Sequence, residues 1–404
     1  MHGVVIVGAG ISGLRCAVEL ETAGVDYLIL EKNSFIGGRC SSLSCDGFIL
    51  DRGFQILLDS YDEVFSFVSE EELGYQRFLS GALIDTDRGG REVFDPFKSS
   101  RRLTTAAKLV LSDIGSFHDK WKLWRSSRAK ALPRSVDKQQ STDQYLRNVF
   151  SERFLEEFLR PFWGSVFLDY DLRVPLGHFW ELLSFFSAGW GGLPAHGMQA
   201  LPDALARRLS KERIRLETSV VSINGNRLEL SSGEFVEAGK VILALPQEVV
   251  CRLMKFGPPV NKRSSACVYF AADVSPFDLP ALRLNAKTNH KIVKTVCVPT
   301  SIQPSYAPTD KVLITVNIDP KFDYATREIR KNALNELVEL FGRQVDDWEE
   351  LKYMRVLNAL PDYGITAELE EKDYLVCGDY NSTPSINNAF ASGRIAAMKW
   401  LKTC

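Results

Sequence analysis

The N-terminal segment constrains the fold most, because an apolar strand, a glycine-rich turn, an amphipathic helix and a second apolar strand follow one another there. Residues 4–7 (VVIV) and 27–30 (YLIL) predict buried parallel strands. Between them, residues 8–13 (GAGISG) place glycines where the backbone can approach a pyrophosphate, and a helix over residues 11–23 would direct its N-terminal amides at it. Glu31 follows the turn by about twenty residues, where a carboxylate binds the ribose hydroxyls of adenosine. Together these features predict a dinucleotide-binding unit rather than a glycine turn without a ligand.

A second glycine pair follows this unit, since Gly37, Gly38 and Arg39 come shortly after Glu31. The pattern Glu-x5-Gly-Gly-Arg resembles the signature of flavoproteins of the monoamine oxidase, protoporphyrinogen oxidase and phytoene desaturase superfamily. In that superfamily the paired glycines and the arginine lie along the flavin diphosphate. The resemblance therefore implies that the dinucleotide is FAD.

The C-terminal end of the chain carries the other strong signal. Residues 374–377 (YLVC) predict a short strand, Gly378 and Asp379 follow it, and Ser385 or Asn387 begins a helix. A helix N-terminus directed at a flavin ring stabilises the negative charge that reduction leaves there. A terminal helix that only packs on the sheet would explain the helix but not the preceding Gly-Asp. FAD needs both an adenosine site and a separate ring site, so this pairing favours FAD over NAD.

Length and composition limit the class of protein. A chain of 404 residues exceeds what one core usually supports, so we expect two structural domains. The formal net charge of −2 predicts no general attraction to nucleic acid. No run of about 18 apolar residues is present, and no signal peptide is visible before the first strand. We expect a location on the cytoplasmic or organellar soluble side, with membrane association possible, and the oligomeric state stays open.

The cysteines and histidines show no metal-binding pattern. The eight cysteines lack the paired spacing of a zinc site, and the five histidines are scattered. We therefore expect no metal and a reducing compartment.

The predicted fold class is α/β, with a Rossmann-like FAD-binding domain and an inserted α+β substrate domain. The FAD-binding domain, a parallel sheet plus a β-meander, is expected from residues 1–80, 190–250 and 355–404, and the substrate domain from residues 80–190 and 250–355. Part of this division rests on the resemblance, since residues 194–198 (PAHGM) look like the turn with which these flavoproteins return to the cofactor domain.

Sequence patterns within the predicted substrate domain and just before it predict two helices and an apolar pocket wall. A helix is predicted over residues 60–69, and a second one from Glu152 is expected to stop at Pro161. The many aromatic residues between positions 162 and 190 suggest an apolar pocket wall, although any single one of them is more often core.

The residues predicted to bind FAD come from both ends of the chain and from the segments that would close over the cofactor. They are Gly8, Gly10, Ile11, Ser12, Gly13, Glu31, Lys32, Gly38, Arg39, Gly53, Phe54, Val221, Gly378, Asp379, Ser385, Ile386 and Asn387. No catalytic residue is assigned.

The reaction type depends on two residues that the resembled family uses and this chain lacks at the expected places. In amine oxidases of the family, an aromatic residue that forms a cage around the substrate nitrogen stands where this chain has Ser385. Those enzymes also carry a lysine near the flavin, for which this chain offers only Lys291 and Lys294 as candidates. Both absences favour a desaturase or oxidase that transfers hydride from an apolar or conjugated small molecule to flavin N5. An amine oxidase, a redox-neutral isomerase on reduced FAD and an FAD-bound scaffold without turnover remain alternatives.

A basic segment in the middle of the chain raises the possibility of membrane contact. Residues 98–138 contain eleven Lys or Arg and three Asp, interleaved with apolar residues that include Trp121 and Trp124. Such a composition is typical of a helix on an anionic membrane, and equally of a solvated helix whose aromatic side packs on its own domain.

Overall fold

The computed structural model describes residues 2–128, 136–255, 263–361 and 374–402. In chain order, its strands are β1 (His2–Val7), β2 (Tyr27–Leu30), β3 (Ser42–Cys45), β4 (Phe48–Asp51), β5 (Leu57–Leu58), β6 (Gln76–Arg77), β7 (Gly81–Thr86), β8 (Gly89–Phe94), β9 (Gly191–Leu193), β10 (Ile214–Arg215), β11 (Val220–Asn224), β12 (Arg227–Leu230), β13 (Phe235–Leu243), β14 (Arg263–Ala272), β15 (Leu282–Asn285), β16 (Val293–Cys297), β17 (Val312–Ile318), β18 (Glu349–Leu360) and β19 (Tyr374–Val376).

Helices connect and cover these strands. They are α1 (Ile11–Thr22), α2 (Asp62–Phe65), α3 (Glu70–Leu73), α4 (Arg102–Leu111), α5 (Phe117–Ser127), α6 (Thr142–Val149), α7 (Glu152–Phe154), α8 (Arg160–Phe167), α9 (Leu176–Ala188), α10 (Ala200–Ala206), α11 (Gln247–Met254), α12 (Arg327–Phe341) and α13 (Ile386–Leu401).

The first sheet is parallel at its centre and antiparallel at one side. Strands β10, β2, β1 and β13 lie side by side in parallel, and β19 pairs in parallel with the C-terminal half of β13. The N-terminal part of β13 pairs antiparallel with β12, and β12 with β11, which forms the β-meander. Because the four strands β1, β2, β13 and β19 run in one direction, the residues after their ends meet at one edge, where ligands bind in such sheets.

Helices α1 and α13 pack closely together because a glycine of α13 lets their backbones approach. A Cβ atom on Gly393 would lie 2.1 Å from the backbone oxygen of Ser12. The Ser12 hydroxyl also donates a 2.7 Å hydrogen bond to the Ala389 carbonyl. The first and last helices are therefore joined, which brings the two ends of the chain together at the same edge of the first sheet.

The second sheet has the strand order β18-β14-β17-β16-β15-β7-β8. Its neighbouring strands are antiparallel, except that β15 and β7 pair in parallel. Helix α12 covers one face, where Leu337 packs in a core with Phe270 and Trp348. The strands of this sheet come from residues 81–94 and 263–360, and the domain boundaries given above stay a prediction.

Two local predictions are wrong, and both have a physical reason. The chain does not stop its helix at Pro161, because a π-helical segment at Leu155–Leu159 leads directly into α8. The wider π turn accommodates a proline that lacks an amide donor. Of the single helix expected over residues 60–69, only α2 forms. The next helix, α3, begins after that range, where the Ser69 hydroxyl caps it by accepting from the amide of Glu72.

Candidate functional site

A cavity of about 580 Å³ is lined by residues of both sheets. At the first sheet it begins where the parallel strands end, at Gly8 after β1, Glu31 after β2, Ala244 after β13 and Cys377 after β19. Fourteen of the predicted cofactor-binding residues line it, namely Gly8, Gly10, Ile11, Ser12, Glu31, Lys32, Gly38, Arg39, Gly53, Phe54, Gly378, Asp379, Ser385 and Ile386. The cavity thus brings together residues from both ends of the chain.

The glycine turn leaves space on the side where a ligand would approach. Gly8 has a φ of 105°, and a Cβ atom there would lie 2.5 Å from the Ala244 carbonyl oxygen, so only glycine fits. Gly10 has no atom within 4 Å of the place of a Cβ atom. The α1 N-terminus has no side-chain cap, so its first amides remain available to an anion.

The second glycine pair lies against this turn. The amide of Gly37 donates a 2.8 Å hydrogen bond to the Ala9 carbonyl, and Gly37 and Gly38 both have positive φ angles of 98° and 58°. A Cβ atom on Gly38 would lie 3.5 Å from the Gly10 Cα. The two glycine segments therefore form adjoining parts of one backbone wall.

Glu31 is 5% exposed and its carboxylate orders the turn. One oxygen, Oε2, accepts from the amide of Ala9 at 2.8 Å, and the other, Oε1, accepts from the amide and the side-chain Nδ2 of Asn33 at 2.9 and 2.6 Å. A carboxylate has about four acceptor positions, so these bonds leave capacity for a hydroxyl donor from the cavity.

Arg39 and Asp379 form an ion pair between segments 340 residues apart in the chain. The guanidinium donates to both carboxylate oxygens, at 3.0 and 2.6 Å, and also to the Ala359 carbonyl at 3.1 Å. Burial acts against the charged guanidinium, but the Asp379 carboxylate outweighs it and raises the pKa of Arg39. The pair ties the second glycine segment to the loop before α13.

The N-terminus of α13 forms another part of the cavity wall. Pro384, Ser385, Ile386 and Ala389 line the cavity there, and the Ser385 hydroxyl accepts from the amide of Asn388 at 3.1 Å. The positive end of the helix dipole is thereby directed towards the cavity.

Two predicted residues lie in packing contacts and not in the cavity lining. A Cβ atom on Gly13 would lie 2.1 Å from the Gly8 carbonyl oxygen, so this glycine lets α1 pack against the turn. Asn387 is buried on the other side of α13, where its side chain accepts from the amide of Glu63 at 3.0 Å and donates to Asp62 at 3.3 Å.

Val221 also lies outside the cavity lining, and its side chain is 50% exposed. The register of β11 shifts at this point, because Val220 pairs with Leu230 whereas Ser222 pairs with Glu229. Val221 is therefore the extra residue of a β-bulge, and Val220 lines the cavity in its place.

Residues of the second sheet, of helices α8 and α9 and of the loop between these helices form another wall of the cavity. None of them was among the residues predicted individually to lie in the site. The side chains of this wall are Phe162, Ser165, Val166, Leu168, Tyr170, Leu182, Phe186, Ser265, Ala266, Leu282, Leu284, Thr295, Asn317 and Ile318. The aromatic-rich run from position 162 to 190 was the sequence signal for part of it, and Phe162 and Phe186 do line the cavity. None of these side chains carries a formal charge, and we call this set the uncharged wall.

The candidate lysines do not face this cavity. The Lys294 ammonium lies 3.6 Å from Asp319 and 4.9 Å from the centroid of the Tyr170 ring, and burial lowers its pKa. Lys291 donates to the Thr288 carbonyl. Among the described residues, no group of three His, Cys, Asp or Glu is placed to hold a metal, and no helix is long and apolar enough to cross a bilayer.

Residues 11–399 match the family model of flavin containing amine oxidoreductases. Protoporphyrinogen oxidase 2, chloroplastic/mitochondrial, of Arabidopsis thaliana is 25% identical over 267 residues, which cover 55% of this chain and 50% of that protein. The 4,4'-diapolycopene oxygenase of a Methylomonas species is 26% identical over 298 residues, covering 64% and 57% of the two chains. The matches thus span about half the length of these relatives.

Solved structures show the same fold at lower identity. Reduced UDP-galactopyranose mutase superposes with a TM-score of 0.73 and 14% identity, covering 100% of this chain and 96% of that one. This likeness confirms the predicted α/β fold class.

Proposed function

Because the chain belongs to the family of flavin containing amine oxidoreductases, we propose that it uses FAD to oxidise an apolar or conjugated small molecule, as a desaturase or an oxidase does. Family membership confirms the predicted resemblance, the FAD cofactor and the general class of oxidoreductase. The particular substrate and the hydride transfer are our proposal.

The residues of the cavity fit FAD. Gly10 has no side chain to block a diphosphate, and Glu31 has acceptor capacity for a ribose. Arg39 would lie beside the diphosphate, and the N-terminus of α13 would face the ring system. When bound, the flavin supplies an acceptor for a hydride equivalent.

The observation that carries the proposal is the uncharged wall. A substrate ammonium buried against it would lack a carboxylate partner, and burying an unpaired charge is costly. An apolar molecule has no charge to desolvate, and its binding is favoured by about 25 cal/mol for each Å² of apolar surface removed from water. The wall therefore binds and orients an apolar substrate and excludes water from the reacting carbon, which supports a desaturase or oxidase over an amine oxidase.

Anaerobic reduction of the holoprotein tests the proposal. Candidate polyenes, porphyrinogens and amines are added to the FAD-bound protein, and bleaching of the flavin absorbance is followed. We expect bleaching by an apolar or conjugated compound and none by amines. Bleaching by amines alone would contradict the proposal, and FAD that no compound reduces would indicate a scaffold. A product of the same mass as the substrate would indicate an isomerase.

A matched pair of variants tests the wall itself. Phe186 lines the cavity, whereas the neighbouring Phe185 packs edge-on against Tyr61 at 5.2 Å and does not line it. We expect Phe186→Ala to raise the concentration of apolar substrate needed for half-maximal bleaching, and Phe185→Ala to leave it near the wild-type value. Equal effects of the two variants would show that the wall does not bind the substrate.

A further inference from the structure

An unusual number of exposed apolar side chains lie on helices α4 and α5 and at Phe97, five residues before α4. Seven of the fifteen exposed large hydrophobic residues in the described chain lie there: Phe97, Leu103, Val110, Leu111, Phe117, Trp121 and Trp124. Leu103, Leu111 and Phe117 are 87%, 84% and 71% exposed. We call these seven side chains the α4–α5 surface. A patch of this kind on a monomer marks an interaction site.

The exposed residues share one face of each helix. On α4, Leu103, Val110 and Leu111 are spaced by seven and eight residues, which places them on the same side, while Leu109 packs inward against the core. On α5, Phe117, Trp121 and Trp124 are spaced by four and seven residues. A helix of a water-soluble domain normally turns its apolar face inwards, so both helices present to solvent the face that a partner would cover.

The charge around this surface is positive. Residues 98–128 contain eight Lys or Arg and two Asp, a difference of six. Asp113 is paired with Arg88, Arg91 and Arg153, which lie outside this segment, and Asp119 is 2% exposed. These two Asp therefore do not neutralise the exposed cations of the segment, of which Lys108 pairs with Glu92 outside it.

The cations lie next to the apolar side chains. The Arg125 guanidinium is 5.5 Å from the centroid of the Trp121 ring, and that of Arg128 is 4.6 Å from Trp124. Arg101 and Arg102 are exposed at the start of α4. Proteins use this composition, with tryptophan beside arginine and more exposed leucines, at the boundary between lipid headgroups and acyl chains.

We propose that the α4–α5 surface docks on an anionic lipid bilayer. A second copy of the chain would bring like charges together, which is costly, whereas anionic headgroups complement them. The bilayer also accepts the protruding leucines, which a purely ionic partner would not. Residues 129–135, a part of the predicted basic segment, lie outside the described residues.

The docking surface adjoins the cavity wall. The Lys98 ammonium donates to the Phe186 carbonyl at 2.9 Å, and Leu109 and Leu123 pack on the core that contains Leu182. Phe186 and Leu182 both line the cavity. Docking would hold the uncharged wall close to the lipid. Delivery of substrate from the bilayer rests on the proposed function, whereas docking does not.

Co-sedimentation of the FAD-bound protein with vesicles tests the docking. We expect binding to phosphatidylcholine vesicles that contain phosphatidylserine and little binding to phosphatidylcholine alone. Raising the salt from about 0.1 M to about 1 M shortens the Debye length from about 10 Å to about 3 Å and should release the protein. The flavin absorbance of the supernatant and pellet reports that the protein stays folded, independently of any reaction.

Matched variants locate the contact. We expect Arg101→Glu with Arg102→Glu to weaken binding by at least about tenfold, and Leu103→Asp with Leu111→Asp to do the same. The controls are Arg327→Glu with Lys331→Glu, exposed cations four residues apart on α12, and Val274→Asp at an apolar side chain that is 71% exposed. The controls should bind as the wild type does.

Three results would overturn the proposal. The first is no binding of the wild type to anionic vesicles at low salt, and the second is an equal loss in the controls. The third is a dimer, seen by sedimentation velocity without vesicles, that Leu103→Asp with Leu111→Asp dissociates, because this would assign the surface to a second copy of the chain.

Discussion

Substitution of Glu31 is expected to weaken FAD binding and to loosen the glycine turn at the same time. The carboxylate accepts from Ala9 on one oxygen and from Asn33 on the other, and both contacts are inside the protein. Glu31→Gln keeps one acceptor oxygen but directs an NH₂ group at one of these donors. Glu31→Ala removes all the contacts and leaves the Ala9 amide without this acceptor.

The expected magnitude follows from the charge on the acceptor. A hydrogen bond to a charged group contributes about 1.5–3 kcal/mol, so loss of one ribose contact should raise the Kd of FAD about 10- to 150-fold. Loss of the Ala9 contact should lower the free energy of unfolding of the apoprotein by a similar amount. Fluorescence titration of apoprotein with FAD gives the first quantity, and urea denaturation gives the second.

The control is Glu21→Gln. Glu21 accepts from the Tyr27 hydroxyl and from the Ser210 hydroxyl, the latter at 2.8 Å, and lies outside the cavity lining. Glu21→Gln should lower stability without changing the Kd of FAD. A folded Glu31→Ala protein that binds FAD as tightly as the wild type would refute the role assigned to the carboxylate.

Three further substitutions have expected outcomes. Gly13→Ala places a Cβ atom 2.1 Å from the Gly8 carbonyl oxygen, so it should lower both the FAD content per chain and the urea midpoint. Asp379→Asn removes the charge opposite Arg39 and should cost about 1.5–3 kcal/mol in the urea denaturation of the apoprotein; an unchanged midpoint would mean that the pair adds no stability. Burial opposes ionisation of Asp119, but hydrogen bonds from Ser116 and Ser151 outweigh it and lower its pKa to about 2. Because the folded pKa is below the ordinary value of 3.8, the stability from this carboxylate is full above about pH 5 and is lost as the pH falls towards 2. Asp119→Asn should therefore be less stable than the wild type by about 2 kcal/mol at pH 7, and the difference should shrink in acid; a difference independent of pH would contradict the assignment.

The sequence by itself determined the first dinucleotide-binding unit and the final strand and helix. The strands at positions 4–7 and 27–30 and the helix from Ile11 could be predicted because each depends on neighbours in the chain: apolar periodicity, glycine conformation and helix capping. The sequence also predicted that this unit and the C-terminal Gly-Asp serve one cofactor, because FAD is long enough to need both an adenosine site and a separate ring site.

Only the tertiary structure decided where individual side chains point. Val220 and not Val221 lines the cavity because one bulged residue reverses the two faces of a strand, and no local pattern marks that bulge. Asn387 contacts α2 although its neighbour Ile386 faces the cavity, since a helix turns by about 100° per residue and the packing of α13 sets its rotation.

The same holds for contacts between distant segments. The ion pair of Arg39 with Asp379 joins residues 340 positions apart, and the uncharged wall combines strands of the second sheet with α8 and α9. Such contacts depend on strand order and helix packing, which residue types alone do not specify. The exposure of Leu103 and Leu111 is of this kind too, because the sequence showed a basic segment interleaved with apolar residues and only the fold showed which of these side chains it buries.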